Sequence, residues 1–142
     1  MTDQVVSRRI LIYAAICGAL GVLLGAVGAH GLDAILESRG ASPELIAKRL
    51  DQFDVAVRYH LVHSLALLAL AAMPLGPPRR RRLISHLFLL GLILFSGSLY
   101  ALVFSDVSKF GMITPLGGLV WIVAWLSLAT LRQGLADSHP IP

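Results

Sequence analysis

The chain has 142 residues, of which 56% are hydrophobic and 14% charged, with 12 basic and 8 acidic side chains. A soluble domain carries roughly 25% charged residues, so this composition and a mean hydropathy of +0.78 exclude a water-facing globule and a disordered chain alike. A single cysteine, Cys17, excludes a disulfide framework. What is left is a protein folded in lipid.

A bilayer core about 30 Å thick takes about 20 mostly apolar residues at 1.5 Å rise each. Four segments qualify. The first, about 10–29, follows Arg8 and Arg9. The second, about 55–75, is closed by Pro74, Pro77 and Pro78. The third, about 83–104, comes directly after Arg79, Arg80, Arg81 and Arg82, and the fourth, about 112–131, stops at Arg132. These spans use more than half of the chain, so the expectation is one membrane domain over 1–142. It is an all-α integral membrane protein, with four transmembrane helices in a bundle and a short amphipathic helix between spans 1 and 2. Ala26-Val27-Gly28-Ala29 imitates a signal-peptide cleavage point, but the apolar run exceeds the usual stretch of about 7–15 residues, which predicts a retained span.

Basic residues in short loops set orientation. Arg8, Arg9, Arg79, Arg80, Arg81, Arg82 and Arg132 would share one side, seven against the five of Arg39, Lys48, Arg49, Arg58 and Lys109. This places both termini in the cytoplasm. The arginine quartet is therefore a topology determinant with contact to lipid headgroups, and no nucleic-acid partner is implied.

Between the first two spans, Ser42-Pro43-Glu44 is a helix start, with a serine cap, a proline in the first turn and an acid behind it. Ile46, Leu50, Phe53 and Val57 then recur at helical spacing while Lys48, Arg49 and Asp51 point elsewhere. The resulting amphipathic helix either lies on the membrane surface or runs straight into span 2.

In the first span Ala14, Gly18, Gly21, Gly25 and Gly28 form a stripe of small residues, a seam for close helix approach. Gly97 in the third span and Gly117 and Gly118 in the fourth extend the packing set. In the second span Gln52, Ala56, Tyr59, His60, His63, Ser64 and Leu67 fall on one face, and histidines within a span are costly unless they face protein or a wet cavity. His86, Leu90, Ile93, Gly97 and Tyr100 share a face of the third, with Ser96 and Ser98 beside it. Thr114, Gly118, Trp121 and Trp125 align in the fourth, and Asp54 with Arg58 forms a separate pair at headgroup level.

His30, Tyr59, His60, His63, Ser96, Ser98, Tyr100 and Thr114 thus converge in the outer leaflet. The bland function of such a cluster is a hydrogen-bonded core that fixes which helix faces which. A small-solute or ion pathway lined by it is the alternative, and a metal site through His30 and His63 the second alternative. Haem would need histidines at matched depth, and His86 is far from His63. Cys17 sits mid-membrane where a thiolate is disfavoured, and neither a phosphate loop nor an H-E-x-x-H motif is present. No catalytic residue and no cofactor is expected, and the leading reading is a non-enzymatic accessory or assembly component, partnered by the lipid bilayer and by homo-oligomers or a larger membrane complex.

Four strings carry a resemblance: 25–30 (GAVGAH), 57–66 (VRYHLVHSLA), 94–100 (LFSGSLY) and 113–118 (ITPLGG) with Trp125. Together they resemble the YgdD/YwdK family of small bacterial inner-membrane proteins, a domain-of-unknown-function group with a small animal relative. The resemblance spans about residues 10–131. It implies four helices, a plasma-membrane location and no established activity. His30, Tyr59 and His63 fit the family pattern, whereas His60 stands where Gln is usual. That difference favours a hydrogen-bonding role at position 60.

Overall fold

The computed structural model describes residues 2–73 and 75–131, and Arg132 with the rest of the tail lies outside them. Helix α1 spans Asp3–His30, α2 Leu32–Ser38, α3 Pro43–Ala72, α4 Pro78–Leu92, α5 Ser98–Ser105 and α6 Thr114–Leu128. A π-helical turn, Ile93–Gly97, joins α4 to α5, and a 3-10 turn, Ser108–Met112, leads into α6. Four helical stretches are long and apolar enough to cross a membrane: Asp3–His30, Pro43–Ala72, Pro78–Ser105 and Ser108–Leu128. The protein is an all-α, four-span bundle.

The amphipathic segment is the first half of α3 rather than a separate surface helix. Ser42 caps it by accepting a hydrogen bond from the Leu45 N–H at 3.3 Å, with Pro43 in the first turn. At 1.5 Å per residue the 30 residues of α3 measure about 45 Å, longer than the hydrocarbon core by about 15 Å. The separate short helix is α2, which ends where Gly40 takes a positive φ of 76°.

Each span packs chiefly on its neighbours in sequence. Helix α1 lies along α3, which faces α4, the π turn and α5, and α6 lies on α4 and the π turn. The glycine seam of α1 is filled from within the chain. A Cβ at Gly21 would stand 2.7 Å from Leu61 Cδ2, one at Gly25 3.3 Å from Val57 Cγ1, and one at Gly28 2.8 Å from the Phe53 ring. Gly18 has nothing within 4 Å, so it is not part of that contact. The tightest contact of a glycine with another element's backbone is between α6 and the π turn, where a Cβ on Gly117 would lie 2.4 Å from the Phe95 nitrogen. Gly118 and Gly97 are in looser surroundings, at 3.9 Å from the Phe95 ring and 3.7 Å from the Leu92 carbonyl.

The arginine quartet divides by face. Arg81 is fully buried, on the same side of α4 as Ile84, Ser85, Phe88 and Gly91. Its guanidinium donates to Asp3 Oδ1 at 2.6 Å, Ser7 Oγ at 2.9 Å, and the Leu70 and Ala71 carbonyls at 2.9 and 3.3 Å. One cation thereby ties the start of α1, the end of α3 and the start of α4, and it sits where the α3 dipole is negative. Being enclosed by protein, Arg81 is out of reach of headgroups. Arg80 donates to the Thr130 carbonyl at 3.1 Å, just past α6. At the opposite end Arg49 is also buried, against the sequence expectation that it points away from the packed face. It donates to Gln52 and to Asp106, the residue that ends α5 in a left-handed conformation with φ 57°.

Two consequences are measurable. Gly117→Ala forces a methyl into the Phe95 backbone and should cost roughly 1–3 kcal/mol, whereas Gly18→Ala should be neutral or stabilising by up to ~1 kcal/mol. Thermal denaturation in a mild detergent compares them, and equal melting temperatures would contradict the contact. In the same assay Arg81→Lys, which cannot span four acceptors, should lose about 2 kcal/mol or more. Exposed Arg80→Gln should lose less than ~1 kcal/mol.

Candidate functional site

The polar face of α3 supplies most of the interior hydrogen bonding. Ala56, His60, His63, Ser64 and Leu67 are buried on it, while Tyr59 is 47% exposed at the edge. The Ser64 hydroxyl donates to the His60 carbonyl at 2.8 Å, which satisfies it within its own helix.

His63 lies flat on Trp121, with ring centroids 3.5 Å apart and an interplanar angle of 3°. Its Nδ1 is 2.7 Å from the Tyr59 carbonyl and its Nε2 is 3.2 Å from Trp125 Nε1. A carbonyl only accepts and an indole N–H only donates. The imidazole is therefore neutral with its proton on Nδ1, and both nitrogens are spent. Trp121 in turn donates its Nε1–H to the Phe88 carbonyl at 3.1 Å, above Gly91, which has no side chain to obstruct it. Tyr59 stacks against the outer edge of this assembly, 5.9 Å from Trp121 and 4.9 Å from Phe95.

The remaining polar groups pair off. His60 Nδ1 meets the Tyr100 hydroxyl at 3.2 Å, and its Nε2, turned toward the Cys17 backbone of α1, closes no hydrogen bond of normal geometry. The Ser96 hydroxyl donates to the Ala56 carbonyl at 2.9 Å, joining the π turn to α3. Ser98 donates to the Phe95 carbonyl and shares a 2.8 Å contact with Thr114 Oγ1 on α6.

Of the eight polar positions singled out from sequence, seven belong to this region. They form three distinct centres rather than one lumen: His63 with Tyr59 and the tryptophans, His60 with Tyr100, and Ser98 with Thr114; Ser96 bonds backbone. His30 stays on the exposed surface at the end of α1. Among the described residues no three His, Cys, Asp or Glu side chains gather as a metal group. The uniform face drawn through His86, Leu90, Ile93, Gly97 and Tyr100 does not form. The i→i+5 bonding of the π turn inserts one residue and rotates the remainder of the span by about 100°, so His86, Leu90 and Ile93 are exposed while Tyr100 turns inward. Sequence reasoning aligned Trp121 and Trp125 but gave them no role in the cluster. The signal was there, since an indole N–H within a span needs an acceptor.

A four-span bundle whose interior polar side chains bond one another and the backbone of adjacent helices defines a small multi-pass helical membrane protein. Comparison with known sequences makes this specific. The chain belongs to the DUF423 family: the family model described as "Protein of unknown function (DUF423)" matches residues 24–118. It is 39% identical over 122 residues to a UPF0382 membrane protein of Haemophilus influenzae, covering 86% of this chain and 91% of that one. It is 38% identical over 120 residues to the UPF0382 membrane protein YwdK of Bacillus subtilis, covering 83% and 90%. With the UPF0382 inner membrane protein YgdD of Escherichia coli K12 it shares 38% identity over 124 residues, covering 84% and 85%. No solved structure matches the chain significantly.

Trp125→Phe removes the donor to His63 Nε2 and should cost about 1 kcal/mol, the scale of an interhelical hydrogen bond in a membrane. In a double-mutant cycle that cost should vanish on a His63→Ala background. Strictly additive melting shifts would contradict the pairing.

Proposed function

We propose that this is a non-enzymatic protein of the bacterial inner membrane, an accessory or assembly component whose outer-leaflet polar cluster specifies helix pairing. The carrying observation is that the cluster spends most of its hydrogen bonds internally, Ser96 on Ala56, Ser98 on Thr114, His60 on Tyr100, and His63 on Tyr59 and Trp125, with the buried His60 Nε2 left over. A transport pathway needs groups that exchange partners with a passing solute. A metal site through His30 and His63 needs a ring nitrogen lone pair that His63 gives instead to Trp125. The inner-membrane location is supported by the relative named as an inner membrane protein. Cytoplasmic termini are supported by the clustering of Arg79, Arg80, Arg81 and Arg82 in one short hairpin. Assembly with further copies or with a larger complex is supported by Gly18, which leaves open space on α1 where another helix backbone can approach closely.

The hydrogen-bonding role predicts that His60→Gln, which still reaches Tyr100, keeps stability within ~0.5 kcal/mol while His60→Leu loses about 1 kcal/mol. Liposomes carrying the wild-type chain should pass protons, monovalent ions and small polar solutes no faster than empty vesicles. A flux that His63→Ala abolishes would replace this reading with the transport one.

A further inference from the structure

Where α1 and α4 enter the membrane side by side, the surface holds a cavity of about 300 Å³ whose walls carry Arg9, Arg79, Arg82 and His86 and whose accessible apolar side is Tyr13 and Leu83. A second depression of about 590 Å³, lined by Pro77 and Pro78, shares Arg79 and Arg82 with it, so the two form one trough. Among the described residues no acidic side chain lines either part. Among the described residues Asp3 is the carboxylate nearest in sequence to this start of α1, and it is committed to Arg81. Arg9 and Arg79 belong to none of the ion pairs among the described residues. The trough is thus a concentration of positive charge on one side and hydrocarbon on the other, with Leu83 60% exposed at its edge.

We propose that this trough is a binding site for one net-anionic phospholipid, its phosphodiester held by Arg9 and Arg79 and its acyl chain lying along Tyr13 and Leu83. The recognised chemistry is a phosphate ester, and a free phosphate would satisfy the arginines. The lipid is the occupant because the apolar wall lies where two spans leave the bilayer, and only a lipid covers both halves. The site stands apart from the interior cluster. It also separates Arg79 and Arg82 from Arg81, which faces the core, and from Arg80, which is turned to the end of α6.

The test is native mass spectrometry of the full chain in mild detergent, offered equal amounts of phosphatidylglycerol and phosphatidylcholine. Wild type should retain phosphatidylglycerol preferentially, and Arg9→Gln with Arg79→Gln should reduce that preference roughly tenfold or more, from about 1 kcal/mol per basic residue near an anionic headgroup. Arg8→Gln, outside the trough, should keep it, and Arg9→Lys with Arg79→Lys should largely restore it, which separates lost charge from lost folding. Four results would each overturn the proposal: no preference in wild type, an undiminished preference in the double glutamine variant, an equal loss in Arg8→Gln, or no restoration by lysine. Displacement of the lipid by millimolar inorganic phosphate would overturn it too, in favour of a soluble anion site.

Discussion

Hydrocarbon offers a helix end nothing to bond with, and the last four carbonyls of every helix must find donors in the protein or at the interface. In this chain arginine meets that need at three helix ends. Arg81 reaches the Leu70 and Ala71 carbonyls at the end of α3, Arg39 the Phe104 carbonyl near the end of α5 at 2.7 Å, and Arg80 the Thr130 carbonyl past α6. Each donor belongs to a different element from the end it serves. Satisfying the backbone therefore also fixes which helices are neighbours, and the favourable placement of cations at negative helix ends adds to it. The spans can then be built almost entirely from apolar and small residues, because their ends are held elsewhere.

The same economy operates in the middle of the bundle. Ser96 and Trp121 donate to backbone carbonyls of other helices, at Ala56 and Phe88. Such contacts require the helices to lie close, and the glycines supply the closeness: Gly91 under Trp121, Gly117 against the π turn, Gly21 and Gly28 against α3. Packing and hydrogen bonding are thus one device here, since lipid provides little hydrophobic drive for helices to associate. The imidazole of His63 fits the scheme as a neutral bridge between a carbonyl and an indole.

Much of this was legible in the sequence. Apolar run length locates the spans, the Ser42-Pro43 start is readable from residue type alone, and the wheel of α3 puts Ala56, His60, His63 and Ser64 on the buried side. The glycine stripe reads as a seam, although the sequence cannot say that its partner is α3 of the same chain or that Gly18 lies off it. Three features escaped for physical reasons. A helical wheel assumes 100° per residue, and the π turn at Ile93–Gly97 breaks that assumption, which reorients every side chain after it. Arginine is a surface residue by type, so four in a row read as a headgroup patch. The i, i+4, i+7 spacing of Arg81 with Ser85 and Phe88 shows that one of them faces the core. Tyr59 escaped in the opposite direction, since its place beside the histidines on α3 implied a buried ring and the structure leaves it at the edge.

The order of contacts bears on how the protein is made. Span 2 packs on span 1, span 3 on span 2 and span 4 on span 3, so each helix emerging from the ribosome finds its partner already in place. Local contacts of this kind keep the entropy of loop closure small. The link from Asp3 and Ser7 to Arg81 is different, joining residues 78 and 74 positions apart. It cannot form until the hairpin between spans 2 and 3 has been synthesised, and it then closes the first span against the third. The N-terminal turn is accordingly the last part of the first span to be fastened: without Asp3 and Ser7 that span would keep its long contact with α3 and lose its hydrogen bonds to Arg81.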